Sequence, residues 1–122
     1  MASTMSKPFD ARIHCAIDYV STAILLAAPI LFGLKGAART VSLAFGVAAG
    51  GLTAVTNQPF AIKRLVSFRV HGLVDTPFVP LLLLLPWATG ALKQRNARLF
   101  FGAFFAWVLV NYSLTNYNSE KD

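Results

Sequence analysis

Charged residues divide this chain into four apolar runs. Residues 13–34 lie between Arg12 and Lys35 with only Asp18 inside, and residues 40–62, between Arg39 and Lys63, carry no charge. Residues 70–92 contain only Asp75, and residues 99–119, between Arg98 and Glu120, are again uncharged. A helix that crosses a bilayer needs about 20 predominantly apolar residues, so each run predicts one span. Four successive spans predict an all-α fold, an integral membrane four-helix bundle of up-down-up-down connectivity. Pro29 and Pro86 fall late in the first and third spans, where they should kink or end the regular hydrogen bonding.

The pattern repeats. Residues 12–33, RIHCAIDYVSTAILLAAPILFG, align without gaps on residues 69–90, RVHGLVDTPFVPLLLLLPWATG, at a constant shift of 57, with seven of 22 positions identical. The leucine matches carry little weight in so apolar a chain. Arg12/Arg69, His14/His71, Asp18/Asp75, Pro29/Pro86 and Gly33/Gly90 carry more, because these residue types are scarce here. The second helix of each half is less alike, although small residues four apart recur as Gly46/Gly50 and Gly102/Ala106, suited to close helix packing within the chain or with another subunit. Thr-Asn also recurs, as Thr56-Asn57 and Thr115-Asn116. The natural reading is one transmembrane domain of two tandem helical hairpins, about 12–59 and about 69–117, related by a pseudo-twofold axis along the membrane normal. The connection 60–68 mixes apolar residues with cations and is expected to lie at the interface.

Composition agrees with a lipid environment: of 122 residues, 56% are hydrophobic and only 13% charged, more apolar surface than a soluble domain of this length can bury. No secretory signal is expected, since the first run holds an acidic residue and lacks a small-x-small cleavage site. The net charge of +6 sits in connections and termini, without a basic stripe interleaved with aromatics, so nucleic acid is not the expected partner. Lipid headgroups are. The side with both termini and the central connection carries six Lys and Arg and the hairpin side five, which places the termini in the cytoplasm by a single cation. One cysteine, Cys15, excludes an internal disulfide.

Candidate chemistry concentrates in four residues. His14 and Asp18 share a helix face, as do His71 and Asp75, and diagonal placement of the first and third helices puts the two pairs opposite each other at one depth. Each Asp lies about 9 Å deeper than its flanking Arg at ~1.5 Å per residue. A carboxylate there costs on the order of 2–3 kcal/mol even on the lenient insertion scale, so it should face the bundle interior and find a partner. Three readings are open. The groups are interhelical glue; they ligate a divalent metal, or the histidines bind haem with the aspartates as orienting acceptors; or they serve as a proton or quinone contact in a small conductor. Arg12 and Arg69 either snorkel to phosphate or pair with the aspartates. Trp87, Trp107, Tyr112 and Tyr117 read as packing or interfacial aromatics, and Asn111 as an interhelical hydrogen-bond donor.

The tandem R-x-H-x3-D segments with their Leu-rich continuation and Pro-Trp and Gly exits resemble a group of bacterial four-helix membrane proteins with the SPW repeat. The chain has Ala-Pro-Ile at 28–30 and Leu-Pro-Trp at 85–87 where that name implies Ser-Pro-Trp. The resemblance implies four helices and a bacterial inner membrane, and it implies no reaction. With no nucleophile and base in sight, the sequence points first to a non-enzymatic accessory or scaffolding subunit that packs against lipid, other membrane subunits or copies of itself.

Overall fold

The first and third helices each begin at a side-chain cap. In the computed structural model, which describes residues 7–119, Asp10 accepts from the Ile13 amide at 3.0 Å and Ser67 from the Val70 amide at 3.1 Å, each satisfying a donor that the helix start leaves open. Helix α1 then runs Ala11–Leu31 and α3 Phe68–Ala88, 21 residues each. Both end just past a proline. The matched glycines follow: Gly33 has φ +63° and Gly90 φ +82°, the left-handed conformation that a residue without Cβ adopts freely after a helix. Pro77 and Pro80 also lie inside α3, which stays helical through them.

Helix α2 spans Ala37–Ala54 and α4 Arg95–Leu114, the latter preceded by a short 3₁₀ turn, Ala91–Lys93. All four helices are long and apolar enough to cross a membrane, and the protein is an all-helical membrane bundle. Each helix stops short of the end of its apolar run, most of all α2, which ends at Ala54 against about 59 for the first repeat, and α4, which ends at Leu114 against about 117 for the second. Absence of charge set those sequence limits, but polar side chains decide the ends. Thr56 turns its hydroxyl back to the Leu52 carbonyl at 2.6 Å, Thr115 does the same to Asn111, and the Gln58 amide donates to the Thr53 carbonyl at 2.9 Å. Such local bonds compete with continued helix.

The two hairpins are tied together at both ends. Phe9 pairs with Thr115 and Val66 with Thr56 as short parallel bridges, so the segment entering α1 lies beside the end of α4 and the segment entering α3 beside the end of α2. At the opposite end, Gln94 donates to the Gly33 carbonyl at 2.7 Å and Asn96 to Phe32 at 2.9 Å. The main apolar core, which includes Leu25, Phe45, Leu82, Phe101 and Phe104, lies towards those hairpin loops. A smaller one, Ala11, Cys15 and Phe68 packed against Tyr117, closes the terminal side.

Within the first hairpin the small residues act as the sequence suggests. A Cβ on Gly46 would lie 2.7 Å from Leu26 Cδ2, and one on Gly50 2.8 Å from Thr22 Cγ2, so α1 packs directly on the α2 backbone. Gly102 and Ala106 do not repeat this. Both are exposed, and nothing lies within 4 Å of a Cβ built on Gly102. The reason is register: the structurally equivalent threonines, Thr56 and Thr115, are 59 residues apart, whereas the small pairs are 56 apart, so they occupy different helix faces. Gly46→Ala should therefore destabilise the bundle by about 1–3 kcal/mol through overpacking, while Gly102→Ala should leave its stability unchanged or slightly raised. Unfolding in mixed micelles checks the pair; equal effects would contradict this packing.

Candidate functional site

Between the two cores the bundle is polar. His14 and Asp18 sit one turn apart on α1, His71 and Asp75 one turn apart on α3, and the four side chains meet. Asp18 Oδ2 lies 3.1 Å from His14 Nε2 and 3.0 Å from His71 Nε2, and Asp75 Oδ2 lies 3.1 Å and 3.2 Å from the same two atoms. Nitrogen and oxygen alternate around a closed four-atom ring. Both histidines are almost wholly buried, at 2% and 1% exposure, and their rings cross edge to face with centroids 5.2 Å apart. Hydrogen-bond geometry runs across the repeats: His14 Nε2 bonds Asp75 and His71 Nε2 bonds Asp18. The aspartate one turn along each histidine's own helix is equally near without that alignment.

The other ring nitrogen of each histidine also reaches the opposite repeat. His14 Nδ1 lies 2.7 Å from Thr115 Oγ1, and His71 Nδ1 2.8 Å from Thr56 Oγ1. A threonine hydroxyl has one proton, and each of these gives it to the carbonyl four residues back. The oxygen is then the acceptor, so Nδ1–H is the donor. This fixes the choice at Nε2: it either carries a second proton towards a carboxylate or presents a lone pair to the centre of the ring.

The carboxylates have further partners, and these differ. Asp18 accepts from Asn111 Nδ2 at 3.2 Å on Oδ1 and from Thr53 Oγ1 at 3.3 Å on Oδ2. Asp75 accepts from the Tyr117 hydroxyl at 2.8 Å. Burial and the Asp75 charge push the Tyr117 phenol well above its usual range, which keeps it protonated as a donor. Phe68 and Tyr117 rings lie 5.5 and 5.2 Å from the His14 ring and cover the cluster on the terminal side.

Other candidates stay outside. Arg12 and Arg69 are exposed, and the only ion pairs among the described residues are those within the four-residue cluster. Trp107 donates to Ser21 at 2.8 Å and Tyr112 shares a bond with Thr76 at 2.7 Å, while Trp87 is largely exposed. Thr56, Thr115 and Tyr117 were not read as site residues from sequence. The recurring Thr-Asn dipeptide carried the signal for the first two.

Compared with protein-family models, curated proteins and solved structures, the chain matches none.

The geometry admits two chemical states. As imidazolium and carboxylate, the four groups form a charge-balanced hydrogen-bonded ring. As neutral imidazole and carboxylate, they present four donor atoms, all within 4.8 Å of one another, to a common point. Haem does not fit: the carboxylate oxygens occupy the space between the imidazoles that a macrocycle would need, and the adjoining cavity is only ≈ 90 Å³. Replacing either threonine by valine, similar in shape but without the oxygen, leaves a buried Nδ1–H unpaired. Thr56→Val and Thr115→Val should each cost about 1–3 kcal/mol, and by similar amounts because their roles are reciprocal. Unfolding in detergent measures this; a loss in one variant alone would contradict the crossed arrangement.

Proposed function

We propose that this chain is a membrane-embedded metal-binding protein in which His14, Asp18, His71 and Asp75 hold one divalent transition-metal ion of the zinc, iron or manganese class. The observation that carries the reading is the closed ring of donor atoms. A tetrahedral ion with nitrogen and oxygen ligands at 2.0–2.2 Å separates them by about 3.3–3.6 Å; the four nitrogen-to-oxygen distances, 3.0–3.2 Å, come close to four of its six edges, and the nitrogen-nitrogen and oxygen-oxygen separations, within 4.8 Å, would adjust as the ion binds. Charge supports a divalent ion: two carboxylates and two neutral imidazoles balance a charge of two, so the apolar bundle would bury no net charge. The Nδ1–H bonds to Thr56 and Thr115 support it as well, because a metal-bound histidine is oriented by donation from its other nitrogen. Imidazole and carboxylate together select this group of ions rather than the soft thiolate-bound ones.

An accessory role in a larger membrane assembly is a compatible second reading. It is favoured by Gly102 and Ala106, which leave one face of α4 open to close approach by another helix. The crossed wiring of the two hairpins supports duplication of a two-helix unit. The resemblance to the SPW-repeat group supports a bacterial inner membrane, and the excess of one Lys or Arg on their side supports termini in the cytoplasm.

Elemental analysis of detergent-purified protein tests the main reading. Wild type should carry near-stoichiometric divalent metal, and His14→Ala/His71→Ala should carry none while circular dichroism reports the same helix content. Metal-free wild type that takes up no zinc, iron or manganese on reconstitution would overturn it.

A further inference from the structure

A cavity of ≈ 90 Å³ adjoins the cluster on the side away from Tyr117. Its floor is the four-residue ring, and its walls are largely apolar, with the Phe78 and Phe104 rings among them. Ala48 of α2 and Val74 of α3 also line it, and both are exposed on the outside of the bundle. The opening therefore lies between those two helices, within their apolar segments rather than at the loops that join them.

We propose that this cavity binds the hydroxyl-bearing edge of a lipid-soluble phenol or hydroquinone, entering between α2 and α3. The chemistry of the floor selects the head group. Asp75 spends Oδ2 on the ring and on Tyr117, and its Oδ1 has no hydrogen bond among the described residues. The polar hydrogens nearby are already committed: Asn111 donates to Asp18 and to the His14 carbonyl, and Ser21 to Ile17. The floor thus offers an acceptor and no spare donor. A hydroxyl satisfies that arrangement and a quinone carbonyl does not. The volume selects the mode of binding. A cavity of about 150 Å³ encloses a whole benzene ring, so this smaller one takes the hydroxylated edge, between Phe78 and Phe104, and leaves the remainder of the ligand in the open mouth among lipid tails. The inference uses Asp75 Oδ1, which remains available with or without a metal on Oδ2, and so goes beyond the metal reading without needing it.

Fluorine NMR of the detergent-solubilised protein with 4-fluorophenol and fluorobenzene, corrected for partition into empty micelles, tests this. Saturable 4-fluorophenol binding is expected at least about tenfold tighter than fluorobenzene, the factor that one hydrogen bond to a charged acceptor supplies. Hydroquinone should displace it and benzoquinone should not. Ala48→Phe fills the mouth from an exposed position, so it should abolish binding while thermal stability and metal content stay those of wild type. Equal binding of the two probes would reduce the site to an apolar void, and displacement by benzoquinone would reverse the assigned polarity. Either result, or unchanged binding in Ala48→Phe, overturns the proposal. Metal uptake measured on the same samples separates the two readings: phenol binding to protein that takes up no zinc, iron or manganese on reconstitution removes the metal proposal alone, and metal without phenol binding removes this one alone.

Discussion

Everything in this bundle is arranged around the cost of placing two carboxylates and two imidazoles among apolar helices. None of the four can be left without a partner there, and the bundle supplies each mainly from the other hairpin. His14 finds Asp75 and Thr115; His71 finds Asp18 and Thr56. An isolated hairpin would retain its own His and Asp and lose every aligned side-chain partner of its histidine. The two halves are therefore interdependent, and the cluster fixes the relative depth of α1 and α3. Buried polar groups are well attested as devices that specify register rather than as sources of net stability.

The near-twofold arrangement is broken where the carboxylates meet their outer partners. Asp18 is held by Asn111 and Thr53, Asp75 by Tyr117. Close packing reinforces the difference, since a Cβ on Gly72 would lie 2.6 Å from the Tyr117 ring, so the tyrosine fits only because α3 carries glycine where α1 carries Cys15. The two carboxylates are chemically distinct: both line the cavity, and Asp75 keeps an oxygen without a hydrogen bond among the described residues.

Much of this was legible in the sequence. Spacing between charges located the four helices, and the repeat of His and Asp at a shift of 57 placed two pairs at one depth. Four things were not legible. Helix ends were set by Thr56, Gln58 and Thr115, whose back-bonding to carbonyls leaves no mark in a reading based on charge. The small-residue pairs looked equivalent because Gly46/Gly50 and Gly102/Ala106 have the same internal spacing, and only the offset of the second helices, read from Thr56 and Thr115, shows that they face different ways. The crossed partnership of each histidine was beyond reach, because spacing along one helix favours the aspartate one turn away while ring orientation favours the opposite one. The part of Tyr117 was hidden for a related reason: it lies beyond α4 in the segment that folds back beside Phe9, and its contact with Asp75 is set by tertiary structure alone.

Four side chains from two helices are proposed to form one coordination site. X-ray absorption at the zinc edge of reconstituted protein tests it most directly. Coordination by the four groups should give a first shell of nitrogen and oxygen at about 2.0–2.2 Å, fitted by two imidazoles and two carboxylates, with the outer-shell scattering of imidazole lost in His14→Ala/His71→Ala. A shell of water oxygens without imidazole scattering, or failure of the wild-type protein to retain zinc, would contradict it and leave the ring as a hydrogen-bonded clasp between the hairpins.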